Sequence, residues 1–172
     1  EAIFRPEDSG AATALGFETS VQVGVSENLS LFGNYGWVDA TFDDTDVDGQ
    51  PQELAGNTFR LTPEHSFSLG GQASVPVAGF GRVFVTPSYT WKSEVFFEET
   101  NLPEIRQDAY GLLNVQAGLA FADERYEITV WGRNLLDEEY IIDAGNTGGG
   151  FGIPTFIAGP PRFLGVRLTA RF

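Results

Sequence analysis

The residues best placed to do chemistry lie in a short acidic run, Asp43-Asp44-Thr45-Asp46-Val47-Asp48-Gly49. Asp44, Asp46, Asp48 and Gly49 match the D-x-D-x-D-G opening of a calcium loop. Carboxylates at alternate positions can converge on one hard cation, and the glycine permits the sharp turn that follows. The Gln50 carbonyl and Glu53 could add oxygens, but position 12 of such a loop is Ala55 and no helical pattern flanks the run. Two readings stand for 43–55. One is a weak calcium site, in about the 10⁻⁴ to 10⁻³ M range of extracellular modules. The other is a solvated acidic loop that needs no ion. No other cofactor is expected. The single histidine, His65, precedes Ser66, but spacing identifies no third member of a nucleophilic constellation, so the sequence does not read as an enzyme. Gly148-Gly149-Gly150-Phe151-Gly152 lacks a following Lys-Ser/Thr and opens no helix, so it reads as a loop tip rather than a phosphate cradle.

The elements that must position these residues are strands. Leu15, Phe17, Val21, Val23 and Val25 alternate with Glu18, Ser20, Gln22 and Gly24. The same period of two recurs over about 67–77, 82–92, 113–121, 126–134 and 164–172, and more noisily over 29–42, where Leu29, Leu31, Tyr35 and Trp37 share a face. About seven strands result. They run longer than the 5 to 6 residues or so usual in soluble sheets. At roughly 3.3 Å per residue and a tilt near 45°, about 12 residues rise near 28 Å, enough for a hydrocarbon band about 25 Å tall.

Connections alternate too. Short turns fall at Ser26-Glu27-Asn28, Ala78 to Gly81 and Ala122 to Arg125; long polar segments fall at about 43–64, 98–108 and 137–160. Short turns on one side and long loops on the other are the pattern of an outer-membrane barrel, with the turns and the terminal Phe172 on the periplasmic side. A soluble β-protein is the competing reading. The expected fold is therefore all-β: an antiparallel up-and-down meander of about seven long strands, forming an arc of a transmembrane barrel. Gln22, Gln72, Thr90, Gln116, Thr129 and Arg167 should share the concave face. Arg133, Arg167 and Arg171 should also face the lumen, since lipid penalises them.

Composition agrees. The 172 residues contain no Cys, which excludes disulfides and thiolate metal sites, and carry a formal net charge of −14, which repels nucleic acid. No apolar run approaches the roughly 18 residues of a membrane helix. No secretory leader opens the sequence, so it is expected to be a mature chain or a piece of one.

The segment Val130-Trp131-Gly132-Arg133-Asn134-Leu135-Leu136-Asp137-Glu138-Glu139-Tyr140 resembles the penultimate-strand motif of TonB-dependent receptors. Gly159-Pro160-Pro161-Arg162, followed by a strand ending in Phe172, is similar to that family's lead-in to its last strand; Leu15-Gly16-Phe17-Glu18 fits a pattern further upstream. The resemblance is strong over about 120–172 and looser before it. Asn134, Leu135, Asp137, Tyr140, Pro161, Arg162 and Phe172 are read as structural: Asn134 bonding backbone where ladder becomes loop, Pro161 opening a strand where no donor is required.

The resemblance implies that 1–172 is the C-terminal segment of a barrel of about 22 strands, without the plug domain that fills it. It implies energy-coupled uptake of a large scarce nutrient of the siderophore-iron, cobalamin or glycan class at the bacterial outer membrane. The implied partners are outer-membrane lipid and lipopolysaccharide, the barrel assembly machinery through the C-terminal strand, TonB through the missing plug, and the nutrient itself. Loop aromatics such as Phe96, Phe97, Tyr140, Phe151 and Phe156 could touch that nutrient, though membrane-interface girdles explain some of them equally well. The alternative is a self-contained small barrel with a structural or adhesion role. In that case strands 15–25 and 163–172 would pair with each other.

Overall fold

A computed structural model of the chain describes residues 10–145 and 154–172. Seven strands build one sheet: β1 (Ala12–Ser26), β2 (Leu29–Phe42), β3 (His65–Val77), β4 (Gly81–Lys92), β7 (Tyr110–Phe121), β8 (Tyr126–Arg133) and β11 (Phe163–Ala170). Between them lie two small hairpins, β5 (Val95–Phe96) with β6 (Arg106–Gln107), and β9 (Ile141–Gly145) with β10 (Thr155–Ala158). The sheet order is β1-β2-β3-β4-β7-β8-β11 and every neighbouring pair is antiparallel. No helix occurs among the described residues. β1 and β11 are the two edges and do not pair, so the sheet is open and the small closed barrel is not what this chain forms.

Alternation predicted these strands to within a few residues, including β2. The last strand ends at Ala170, two residues before the expected Phe172. The hairpins β5–β6 and β9–β10 were expected to be loop; strands of two to five residues are too short to show a period.

Register decides the faces, because directly paired residues project to the same side. Gln22 pairs with Phe32, which pairs with Gly70, and Gln72 is two residues along β3. The same chain of pairings carries the face through Thr90, Gln116 and Thr129 to Arg167. The six residues expected together thus share one face, with Arg133 and Arg171 in phase. The opposite face carries Leu15, Val21, Leu69, Val75, Val130, Val166 and Leu168, all large, apolar and exposed. In the seven strands only Phe32 and Phe163 break this rule by lying exposed on the polar face. An apolar face this extensive has hydrocarbon as its solvent.

Two aromatic belts bound that face. At the loop end Phe17 contacts Tyr35 and Trp37 at 5.7 and 6.0 Å, and Phe67 contacts Tyr89 and Trp91 at 6.0 and 5.4 Å. His65 belongs here, stacked on Tyr35, with Nδ1 2.8 Å from the Tyr35 hydroxyl. At the turn end Phe121 stacks between Phe80 and Tyr126 at 5.8 and 5.6 Å. Tyr89 pairs with Leu113, and Phe121 lies eight residues further along β7. At about 3.3 Å per residue and a tilt near 40°, the belts stand about 20 Å apart along the membrane normal, close to the expected apolar band.

On the polar face the rings of Phe32, Phe84 and Trp131 each lie over the glycine paired with them, Gly70, Gly118 and Gly165, where a Cβ would collide with the ring. This covers backbone that a bare glycine would leave open. Near the turn end the charges are paired: Arg82 with Glu124 at 3.1 Å, and Arg171 with Glu127 at 3.8 Å.

The faces make a direct prediction. Ala117, midway along β7 on the apolar face, and Gln116, its neighbour on the polar face, differ only in side. In the whole barrel in bilayers, Ala117→Arg should cost about 2–4 kcal/mol, whereas Gln116→Arg should stay within about 0.5 kcal/mol. Denaturant unfolding checks both.

Candidate functional site

The three long connections leave the sheet at one end and fold onto one another. Without hydrocarbon around them they need a core of their own. The only cluster of buried apolar side chains among the described residues is here: Val95, Phe97, Ile105 and Ala144, with Leu102 and Ile141 packed against it. Phe97, expected as a candidate ligand contact, is 2% exposed and belongs to this packing.

Asn101 ties the first connection to the second. Its Oδ1 accepts from the Thr58 amide at 2.7 Å and the Thr58 hydroxyl at 3.0 Å, and its Nδ2 donates to the Thr58 carbonyl at 3.0 Å. Its φ of 50° is a conformation that asparagine tolerates better than most residues. The Leu61 amide adds a bond to the Phe96 carbonyl at 2.8 Å. The second connection is tied to the third where Gln107 Oε1 accepts from the Ile141 amide at 2.7 Å.

The motif residues form the clasp at the root of the third connection. Asn134 is 4% exposed with φ 49°. Its Nδ2 donates to the carbonyls of Glu138 and Pro160 at 2.8 and 3.2 Å, its Oδ1 accepts from the Glu138 amide at 2.9 Å, and its own amide donates to Asn114 Oδ1 at 3.1 Å. Asp137 Oδ2 pairs with Arg162 Nη2 at 3.0 Å, and Asp137 Oδ1 accepts from the Arg162 amide at 3.2 Å. Two segments 25 residues apart are thereby joined at the barrel rim. The Leu135 amide donates to the Leu113 carbonyl at 2.8 Å, Pro161 precedes β11, and Phe172 stands exposed in phase with the apolar face.

Tyr140 stacks on Tyr110 with centroids 4.6 Å apart and covers Gly159, whose amide donates to the Tyr140 carbonyl at 2.7 Å. Lys92 Nζ sits 5.0 Å from the Tyr110 centroid. Burial, and then the neighbouring Tyr110, raise the Tyr140 phenol above its ordinary pKa. Tyr140 is half-buried in packing, while Phe156 is 50% exposed on β10. Phe151 and the glycine tip lie outside the described residues.

The acidic run does not form a cradle in this structure. Asp46 Oδ1 accepts from the amides of Asp48 and Gln50 at 2.9 and 2.8 Å, closing a local turn. Gln52 Nε2 donates to the carbonyls of Ala11, Asp43 and Thr45 and holds the loop to the residue that precedes β1. Among the described residues no three carboxylates or imidazoles converge, so Asp44, Asp46 and Asp48 are not brought together as the spacing suggested.

The family model described as TonB dependent receptor-like, beta-barrel, matches residues 2–135. The chain belongs to the TonB-dependent receptor family. Among solved structures it is similar to FyuA, the ferric yersiniabactin uptake receptor from Yersinia pestis, with TM-score 0.79, 20% identity, and 92% of this chain and 23% of that one covered. It is similar to the siderophore receptor PiuA from Acinetobacter baumannii, with TM-score 0.70, 15% identity, and coverage of 92% and 21%. BauA, the ferric preacinetobactin receptor of the same organism, gives TM-score 0.68, 20% identity, and coverage of 93% and 22%. At such identities the likeness establishes the fold, and the chain spans between 21% and 23% of the length of these three structures.

A TonB-dependent receptor barrel resides in the outer membrane, and the family is one of receptors and transporters rather than enzymes. The family match stops at Leu135, so the lead-in at Gly159 to Arg162 and the terminal Phe172, which carried much of the sequence resemblance, lie beyond it.

Two predictions follow from the clasps. Asn134→Ala removes three side-chain bonds and should loosen the rim by about 2–3 kcal/mol; hydrogen exchange at the Glu138 amide reads it, with Asn101→Ala as the counterpart read at Thr58. Because the folded pKa of Tyr140 is raised, its contribution to loop stability is fully present below the ordinary phenol value and is lost as pH rises through the folded one. Difference spectrophotometric titration should therefore lose a phenol that ionises above the ordinary range in Tyr140→Phe, and loop protection factors, which remove the base catalysis of exchange itself, should no longer fall with alkalinity in that variant.

Proposed function

We propose that residues 1–172 are the C-terminal arc of the barrel of an outer-membrane active transporter, energised through TonB, whose ligand is an iron chelate of the siderophore class. The observation that carries the reading is the open seven-stranded wall: one face exposed and apolar between two aromatic belts, the other polar, with both edge strands unpaired. Unpaired strand edges are not tolerated in hydrocarbon, so the wall requires further strands on both sides. The siderophore class is supported by the matched receptors, which take up or bind such chelates by their descriptions. On this reading the plug that engages TonB lies outside this chain, the C-terminal strand meets the barrel assembly machinery, and lipopolysaccharide borders the outer belt.

The test uses the full-length protein in cells lacking their own ferric-siderophore receptors. Uptake of radiolabelled iron should appear with at least one chelate and vanish on deletion of TonB or collapse of the proton gradient. Iron uptake that is absent for hydroxamate, catecholate and carboxylate chelates alike would overturn the substrate class; uptake indifferent to TonB would overturn the mechanism.

A further inference from the structure

Just below the outer loops, the polar face of the wall carries a trough of about 510 Å³. Two rows of paired residues make it. The outer row runs Glu18, Gly36, Ser66, Lys92, and the inner row Ser20, Asn34, Ser68, Thr90. The floor is therefore small and hydroxylated, with one internal bond, Asn34 Nδ2 to Ser68 Oγ at 2.9 Å. The ends are charged and opposite. Three strand spacings of about 4.8 Å separate the Glu18 and Lys92 Cα atoms by about 14 Å, too far for a direct pair. Neither side chain has an ion-pair partner among the described residues; Lys92 rests only against the Tyr110 ring, which closes that end. By contrast, Arg82 and Arg171, near the turn end, are paired.

The approach from outside is strongly biased in charge. The connections 43–64, 93–109 and 134–162 hold six, five and four acidic residues, against one arginine each, Arg60, Arg106 and Arg162. Most of the chain's formal −14 therefore stands in the connections at the end of the sheet nearest the trough. Such a field speeds the arrival of cationic groups and repels anions.

We propose that this trough is a binding subsite for an extended hydrophilic zwitterion, its cationic group seated on Glu18 and its anionic group on Lys92, with the serine, threonine and asparagine floor bonding the polar chain between. The inference rests on the reading of the polar face as a ligand passage and adds the charge pattern of the ligand. A polyanionic chelate does not fit it: the loops repel it and Glu18 opposes it. The cationic end is drawn in first by the acidic loops and is then held by Glu18, while Lys92 orients the other end.

The experiment uses the full-length receptor in outer-membrane vesicles and four probes built on one linear trihydroxamate. These are the form with a free terminal amine and a terminal carboxylate, its N-acetyl derivative, its carboxamide derivative, and the iron-free zwitterion. Binding is followed by calorimetry. The zwitterion should bind about tenfold tighter than either singly blocked form, as one charge-assisted contact is lost in each. Glu18→Gln should abolish the preference for the free amine alone, and Lys92→Gln the preference for the carboxylate alone. Far-UV circular dichroism melts of the variants confirm that the barrel is intact. Preferences that survive both substitutions, or a wild-type protein indifferent to the blocking groups, overturn the proposal. A second readout covers occupancy by another part of the protein. Ser68→Cys should react with an impermeant maleimide in the ligand-free receptor and be protected by the zwitterion; protection without ligand means that a protein segment fills the trough, and overturns it too. The iron-free probe separates this inference from the iron-chelate reading. Charge-selective binding without iron uptake keeps the trough and removes that reading, and iron uptake indifferent to Glu18 and Lys92 does the reverse.

Discussion

In hydrocarbon a backbone amide or carbonyl has no water to fall back on, and each one left unpaired costs several kcal/mol. The rest of this structure depends on that constraint. It explains why six strand-strand ladders run antiparallel, each with a constant register apart from the shift at Gly24/Ser26 beside the first turn. Uninterrupted ladders leave side chains only two directions, so a period of two in the sequence becomes two chemically opposite surfaces. Val130 and Thr129 are chain neighbours, yet one is 53% exposed toward lipid and the other fully buried on the inner face.

Where the chain leaves the membrane the constraint relaxes, and the architecture changes with it. The outer connections abandon long ladders for two short hairpins, a small apolar cluster and asparagine side chains that bond backbone. Asn101 and Asn134 do similar work. Each adopts a positive φ and uses its amide as both donor and acceptor to bind segments distant in sequence. An asparagine suits both demands, since its short amide tolerates the left-handed region and mimics a peptide group. The clasp at the rim, completed by Asp137 and Arg162, sets where the third connection departs from β8 and where it returns to β11.

The inner face answers to neither lipid nor bulk water alone. Rings cover glycines at Gly70, Gly118 and Gly165, while the serines, threonines and amides beside them keep that surface polar. On that face Arg82 is paired with Glu124 and Arg171 with Glu127, whereas Glu18 and Lys92 line the trough without an ion-pair partner among the described residues.

The sequence by itself determined the strands, their lengths, the two faces and the side on which loops gather. Those features follow from a local period that each residue of β1, β4 or β7 reports independently. The roles of Asn134, Asp137 and Arg162 as a structural set were also legible, through resemblance and through the capacity of asparagine to bond backbone. The spacing of Asp44, Asp46 and Asp48 was legible as well; in this structure no three acidic side chains converge among the described residues. Whether alternate carboxylates converge depends on the turn, and here Asp46 Oδ1 closes it by accepting from the Asp48 and Gln50 amides. Only the tertiary structure decided the rest. The contact of Asn101 with Thr58 spans 43 residues, and the apolar cluster draws on connections far apart in the chain. The trough depends on five strands in one register. None of these leaves a periodic trace, because they are set by which strand lies beside which, and a change of one residue in register would have turned every one of those side chains to the other face.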